Sequence, residues 1–531
     1  MIADVIGNYL DNIEEREFDA PFMALLRAMG FHDIHFLHGA FEFGKDFIAK
    51  RTEAGTTLQY AFQTKAGNLN LSAWHECRGQ IDLLRTNSLA HPAFDLNMAR
   101  QAVFVTTGRL VGGAPLAAQE YSAHLDQLRE IGFSTWDRET LIEKMSNSPE
   151  AGLAGTSSGA LLSLIGKIDE DAVQDFELEQ FSRRWFAENS DGGLARGGLE
   201  AAIIANRLRR QNRLDLASYV GLCLVRATWI RGHGTEPPRE DLIRASDTGR
   251  KLFRQYANDL FARCDENLLD PGKFIQDHGE PSAFVTYPVR CMRVIEVLGL
   301  LGLLERERSD EIAAFLVNFC KANPGSGHPV SDHWAVSLIA PVLLLWKTGH
   351  QDAVRALLTN VTKWIGDRYE SDRPGLADAR ATQEKEIEYL LGSMFDPADL
   401  RRRLDSYTAT IVLDLAAVLE ISDIYELARN DFLAVRAMPS VLEVADTAGQ
   451  YVVDAGDLRF EPNMPYKDKW EPQDGWKVAP HHLRGPASLY LERVERVWDQ
   501  LAVVSVLRDR HFVTSLRRIA VDSCRPAPNA L

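Results

Sequence analysis

Apolar positions in the first 150 residues switch repeatedly between a helical period and an alternating one. Phe18, Phe22, Leu25, Leu26 and Met29 recur at helical spacing, and Gly30 follows where a C′ residue ends a helix. With the segment before them they predict two helices over residues 1–30. Asp19, two residues before Pro21, takes the N-cap position of the second. Phe31–Leu37 reads as a strand and Phe43–Ala66 as a two-stranded hairpin. Ser72 caps a helix over Ala73–Leu84 with Trp74, Cys77, Ile81 and Leu84 on one stripe. Ala102–Thr107 is a buried strand closed by Gly108. A helix over Pro115–Ile131, a strand over Phe133–Trp136 and a helix capped by Asp137 and running through Met145 complete the set. This succession predicts an α/β sheet covered on both faces.

From Ser146 to Gly159 the composition shifts to Ser, Asn, Pro, Gly and Ala, which marks a linker. Beyond it the period-2 pattern disappears. Helical runs follow over Ala172–Glu188, Leu199–Arg210, Leu214–Arg231, Ile243–Leu268, Val289–Glu305, Glu311–Lys321, Val330–Trp346, Gln351–Tyr369, Arg380–Met394 and Tyr407–Val435. They suit stacked helical hairpins without a fixed repeat. Tyr451–Arg484, rich in Pro, Asp, Trp and Lys, reads as a long ordered loop, and helices over Ala487–Leu507 and Phe512–Asp522 close the chain. The expected organisation is an α/β domain over 1–147, a linker over 148–160, a large all-α region over 161–440 and a loop-rich and helical segment over 441–531.

Composition narrows the setting. A chain of 531 residues exceeds one hydrophobic core. A net charge of −16 argues against a generally basic nucleic-acid coat protein, although a local basic groove can sit on an acidic protein. Six scattered cysteines with no Cys-x-x-Cys pair fit neither a disulfide framework nor a zinc ribbon, and suit a reducing compartment. The first residues lack the basic and apolar regions of a signal peptide. The apolar stretch Ala335–Trp346 is too short to span a bilayer and contains Pro341. The expected location is cytoplasmic, with no membrane partner.

The hairpin carries the main chemistry. Asp46 stands early in its first strand, and Gln63 and Lys65 end the second on a shared face, with Thr64 opposite. Hydrolysis of a phosphodiester needs a metal ion to polarise the phosphate and lower the pKa of the attacking water, and a cation to stabilise the transition state. Mg²⁺ takes oxygen ligands and needs only one or two carboxylates. Asp46, the Gln63 amide oxygen and the Thr64 main-chain carbonyl are the candidate metal ligands, with Lys65 holding the water. The same spacing also fits a surface hairpin whose polar side chains face solvent.

Other motifs carry less. Gly155-Thr-Ser157-Ser-Gly159 has the spacing of a hydrolase nucleophile elbow but no strand before it. His32, His35 and His38, like His481 and His482, read as exposed histidines. Arg207, Arg209, Arg210 and Arg213, and Arg401 to Arg403, are basic clusters that could touch a nucleic-acid backbone and more often form the solvated face of a helix. No glycine-rich phosphate loop is present.

Arg16-Glu17-Phe18-Asp19 leading into a helix that ends in Met-Gly-Phe, then Phe-Gly-Lys-Asp46, then Phe-Gln63-Thr-Lys65, resembles the Mrr-like branch of the restriction-endonuclease (PD-(D/E)XK) superfamily. The later Ala-Val-Phe-Val-Thr-Thr-Gly strand and Phe-Ser-Thr-Trp-Asp also resemble the end of such domains, so the likeness covers about residues 14–145. It implies a restriction-endonuclease-like domain with a central mixed sheet flanked by helices. It also implies Asp46, Gln63 and Lys65 as the catalytic set, with Asp19 as the supporting acid and Glu17 as the alternative. The implied activity is Mg²⁺-dependent (or Mn²⁺-dependent) cleavage of DNA, in bacterial restriction or anti-phage defence. The helical region would gate or target it through an activator, a partner protein or homo-oligomerisation. The contrasting expectation is a catalytically inactive nucleic-acid-binding or scaffold protein on the same fold.

Overall fold

The computed structural model describes residues 2–37, 46–53, 55–86, 91–128, 132–155, 159–187, 193–231, 240–267, 283–370, 373–379, 381–391, 402–439, 442–444, 458–460 and 497–508. Two compact units divide the chain: Met1–Val173, Gln180–Arg207 and Ile243–Thr248 form the first, and Gln174–Glu179, Leu208–Leu242 and Gly249–Leu531 the second.

In the first unit, helices α1 (Ile2–Asn12) and α2 (Glu15–Ala28) precede strands β1 (His32–Phe36), β2 (Phe47–Glu53) and β3 (Thr56–Lys65). Helix α3 (Leu71–Thr86), β4 (Arg100–Thr106), α4 (Ala114–Leu128), β5 (Gly132–Trp136) and α5 (Arg138–Ser146) follow. The strands lie side by side in chain order in a five-stranded sheet. β1, β2 and β3 pair antiparallel, while β3, β4 and β5 pair parallel, so the sheet is mixed. Hairpin β2–β3 closes between Glu53 and Thr56, where Gly55 takes a φ of +82°.

Alternation along the strands divides the core into two layers. On one face, Phe22 of α2 meets Phe47, Phe62 and Trp136 edge-on, at centroid distances of 5.3, 5.4 and 6.3 Å. On the other, Ala61, Ala102 and Phe104 pack with Trp74, Ile81 and Leu84 of α3 and Tyr121 of α4. Both faces are covered, as the sequence predicts.

Local boundaries differ from expectation for identifiable reasons. Helix α2 starts four residues before Asp19, because Glu14 and Glu17 form a reciprocal capping box at its N-terminus. Asp19 is therefore an interior residue, and Pro21 lies in the second turn. Asn70, not Ser72, caps α3: its Oδ1 accepts from Ala73 N at 3.0 Å. Gly30, with a φ of +84°, ends α2 in the expected C′ position, and Asp137 caps α5 through Thr140 N at 3.1 Å.

The stretch read as a linker is largely built into the first unit. Pro149–Leu153 form a 3₁₀ turn in which Gly152 O accepts from the Tyr9 hydroxyl at 2.8 Å. Helix α6 (Gly159–Asp169) then buries Leu161, Leu164 and Ile168. Residues 156–158, including Ser157, lie outside the described residues. The boundary near 147 is thus no domain boundary, since a Gly- and Ser-rich composition is also what close packing against Leu199 selects: a Cβ on Gly152 would stand 2.6 Å from its Cδ2.

Among the described residues the second unit is mostly helical, with short paired strands at 405–406 with 438–439 and at 442–444 with 458–460. The run over Tyr407–Val435 is two helices, Tyr407–Val418 and Ser422–Val435, broken where Glu420 takes a φ of +57°. Val330–Trp346 is a 3₁₀ segment (Asp332–Leu338) feeding the helix Ile339–Lys347, whose first turn accommodates Pro341. Helix Val497–Leu507 belongs to this unit rather than to a separate segment, with Val506 O accepting from the Tyr219 hydroxyl at 3.3 Å. Most of Tyr451–Arg484, and the helix expected over Phe512–Asp522, lie outside the described residues. A buried charge network runs through this unit. Burial alone would raise the pKa of Asp175, but Arg293, His333 and Arg508 hold it well below the usual carboxylate range. No helix among the described residues is long and apolar enough to cross a membrane.

Two loops at the ends of the parallel strands are fixed by one close approach. Thr107 N donates to Lys65 O at 3.1 Å and Gly67 N to the Thr107 hydroxyl at 3.0 Å. A Cβ on Gly108 would stand 2.1 Å from the Gly67 carbonyl carbon. Gly108→Ala is expected to cost about 1–3 kcal/mol through overpacking. Hydrogen exchange should show the loss as faster exchange at the ends of β3 and β4.

Candidate functional site

Register brings the polar groups together. Phe47 pairs with Phe62, so one residue further Asp46 stands opposite Gln63, and Asp46 N continues the pairing by donating to Phe62 O at 2.8 Å. Gln63 Nε2 donates to Asp46 Oδ2 at 2.9 Å. Thr64 donates to the same oxygen twice, from its amide at 2.7 Å and its hydroxyl at 2.9 Å. The Thr64 side chain, expected on the opposite face, reaches Asp46 because Asp46 is a bend residue outside β2 and escapes the strict alternation of the pleat. Residues Phe43 to Lys45, which lead into it, lie outside the described residues.

Lys65 closes the cluster. Its ammonium donates to Glu15 Oε1 at 3.0 Å. The acid of the first long helix that pairs with Lys65 is Glu15, which the sequence reading does not single out. Asp19 lies one turn further along α2, at i+4 from Glu15. Glu17 turns back to the N-terminus of the helix, where its Oε2 accepts from Glu14 N at 3.4 Å. Sequence reasoning misses Glu15 because the shift in the helix start moves the acid facing the strand ends by one turn.

Electrostatics assign distinct states to the two charged groups. Burial pushes the Asp46 carboxyl up from its ordinary pKa, and the Thr64 hydrogen bonds and the charge of Lys65 oppose that shift without cancelling it. Burial works against the Lys65 ammonium, but the hydrogen bond and charge of Glu15, with Asp46 behind them, raise its pKa overall. Lys65 is thus a proton donor and a fixed cation at neutral pH.

The donor set fits a hard cation. Gln63 is 4% exposed, and its Oε1 is buried with no hydrogen-bond partner among the described residues. All three hydrogen bonds to Asp46 fall on Oδ2. An acceptor left without a donor in a protein interior is costly, and an oxygen-seeking ion such as Mg²⁺ satisfies it. The set has a single carboxylate: among the described residues no three His, Cys, Asp or Glu side chains gather as a metal cluster.

The remaining candidates have other partners. Arg207 grips Asp169 with two bonds of 2.7 Å, Arg209 meets Asp259 at 3.3 Å and Arg213 meets Asp215 at 3.4 Å. Arg403 lies between Asp332 and Asp405, at 3.0 and 2.9 Å, and Arg402 donates to Tyr369 O at 3.0 Å. Arg207 and Arg209 thus tie helices together, while Arg210 is exposed. Arg401, His38, His481 and His482 lie outside the described residues. The rings of His35 and His91 lie 4.8 Å apart, tilted by 54°, and His32 faces the Thr52 hydroxyl at 3.4 Å.

A carboxyl whose folded pKa is raised costs stability as pH climbs from its unfolded value through its folded one, and the cost persists above. Asp46→Asn keeps an oxygen for Thr64 and removes that cost. It is expected to raise the melting temperature of the metal-free protein at pH 7, with the difference shrinking to nothing below about pH 4. Thermal melts across that range check the sign.

No protein-family model, curated protein or solved structure matches this chain.

Proposed function

We propose that the first unit is a metal-dependent DNA endonuclease centred on Asp46, Gln63, Thr64 and Lys65. The observation that supports it most is that Asp46 accepts from Gln63, an amide with an orphaned oxygen, at the end of the strand that also carries Lys65, whose ammonium is held by Glu15. The order of these residues along the chain resembles the Mrr-like restriction endonucleases, and that analogy, not the fold, supplies the substrate. The mixed sheet between helices agrees with such a domain at the level of its architecture.

In this reading the Asp46 carboxylate, the Gln63 Oε1 and the Thr64 main-chain carbonyl would hold Mg²⁺, or Mn²⁺ in its place. The ion, when bound, supplies a Lewis acid for the phosphate and a lowered pKa for the attacking water. The Thr64 amide and hydroxyl orient Asp46. Glu15 orients Lys65, whose ammonium hydrogen-bonds the phosphoryl oxygens as negative charge grows on them. Water oxygen forms the new bond to phosphorus and gives up a proton to solvent, the bond from phosphorus to one ester oxygen breaks, and that oxygen leaves with a proton from solvent. Because Lys65 stays protonated, it stabilises charge and does not serve as the general base. Restriction or anti-phage defence in the bacterial cytoplasm suits such an activity. The helical unit would then gate it, by sensing a signal or by oligomerising, since an unrestrained nuclease would damage its own host.

One observation favours the second reading, a nucleic-acid-binding scaffold without catalysis. Three donors already converge on Asp46 Oδ2, and among the described residues no cluster of three His, Cys, Asp or Glu side chains forms there. Plasmid cleavage with Mg²⁺ or Mn²⁺ separates the two. The nuclease reading expects Asp46→Ala and Lys65→Ala each to lower the rate by about 100- to 1,000-fold. It expects Gln63→Glu, which adds a charge to the ligand set, to lower the metal concentration needed. Cleavage unchanged by both alanine substitutions removes the assignment. A wild-type protein that binds DNA and cuts none with either metal favours the scaffold.

A further inference from the structure

His333, in the 3₁₀ segment Asp332–Leu338, holds one neighbour of the second unit on each ring nitrogen. Nε2 lies 2.8 Å from Asp175 Oδ2, at the first residue of the helix Asp175–Ser182, and Nδ1 lies 3.1 Å from Ala379 O. A main-chain carbonyl only accepts. Burial would raise the pKa of Asp175, but Arg293, His333 and Arg508 hold it well below the usual range. The carboxyl is therefore ionised and only accepts as well. A neutral imidazole has one N–H and one lone pair, whereas an imidazolium has two N–H groups. The two bonds coexist only on a protonated ring.

The surroundings decide which bond gives way when that proton leaves. Asp175 keeps other donors: Phe176 N at 3.0 Å and Arg293 Nη2 at 3.4 Å on Oδ1, and Arg508 Nη2 at 3.6 Å on Oδ2. Both guanidinium groups lie over the Trp334 ring, which meets His333 edge-on at 5.0 Å. Arg293 also pairs with Asp215 at 3.3 Å, and Arg508 with Glu296 at 2.8 Å. From the helix Gln383–Leu391, Glu386 accepts from Ser331 and Trp334. Burial pushes the Glu386 carboxyl up, and Ser331 and the charge of His333 oppose that shift. A neutral His333 ring keeps its one proton on Nε2, because an N–H bond to a carboxylate is about twice as strong as one to a carbonyl. Nδ1 then turns a lone pair on the Ala379 oxygen, so two acceptors face each other. Ala379 belongs to the segment 373–379, which is also tied to the neighbouring Asp332, whose N donates to Ala377 O at 2.9 Å. The His333 side chain is 16% exposed, so water reaches its proton.

We propose that His333 is a proton-dependent clasp: as an imidazolium it holds the segment 373–379 against the 3₁₀ segment, and as a neutral ring it releases the Ala379 end. The clasp does not depend on the nuclease reading. A group that gains partners in its charged form as a cation lends stability at low pH and loses it as pH rises. The test is hydrogen exchange of the full chain followed by mass spectrometry, corrected for the intrinsic pH dependence of exchange. Measurements from about pH 5.5 to about pH 8.5 span the range in which histidines change charge. Protection of the amides in 373–379 is expected to fall about tenfold over that rise, the loss of one hydrogen bond from a charged donor. The helix Ser309–Ala322, which contains no histidine, serves as the internal control and should change little. His333→Gln keeps an amide donor and takes up no proton, so its profile over 373–379 should be flat. His333→Ala should show at low pH the weak protection that wild type reaches only at high pH. Should His333→Ala fail to fold, the wild-type and His333→Gln profiles decide by themselves. A pH profile that His333→Gln retains assigns the change to another group and overturns the clasp. A wild type protected equally at both ends of the range overturns it too.

Discussion

The pairing of Phe47 with Phe62 is the constraint on which the candidate site depends. It puts Asp46 opposite Gln63, and a slip of one residue would carry every side chain of β2 to the opposite face of the sheet. The register is held by packing: Phe22 of α2 contacts both phenylalanines edge-on, and both are fully buried. Breaking the polar cluster by a slip would therefore mean exposing two aromatic side chains, each worth several times a typical net hydrogen bond. The hydrophobic core thus enforces the geometry of the polar groups, and the polar groups contribute little to enforcing themselves.

That division explains how a destabilising carboxylate is tolerated. Asp46 loses hydration, and three hydrogen bonds to one oxygen offset only part of the loss. Sites that bind ions or charged substrates commonly carry such local costs, supported by the structure around them. Lys65 shows the complementary case, in which Glu15 more than offsets the desolvation of the ammonium. In the second unit the same physics has a structural outcome, because Asp175 is buried among Arg293, His333 and Arg508, which more than compensate its charge. Perturbed titration alone does not separate the two cases.

Where sequence reading missed, a local rule yielded to a longer-range contact. Asn70 displaced Ser72 as the cap of α3, and the capping box of Glu14 and Glu17 set the start of α2 four residues before the expected Asp19. The stretch after Ser146 has a linker's composition, but Gly152 is small because Tyr9 and Leu199 press on it. Arg207, Arg209 and Arg403 of the two basic clusters are partnered by acids far away in sequence, Asp169, Asp259 and Asp332. None of those partners lies within reach of a pattern read along the chain.

The sequence by itself determined the layers and the short-range part of the site. Alternation and helical spacing are local properties of the backbone, so the hairpin, the strands on either side and the covering helices are legible from side-chain pattern alone. Gln63 and Lys65 share a strand, and the turn at Gly55 returns Asp46 to their end of the hairpin. Only the tertiary structure decided which acid meets Lys65 and that Thr64 bonds Asp46 from the expected opposite face. Those contacts join groups up to 50 positions apart in the chain, from Glu15 to Lys65. They depend on how packed elements meet at the ends of the strands, which is a property of the folded core and of no segment taken alone.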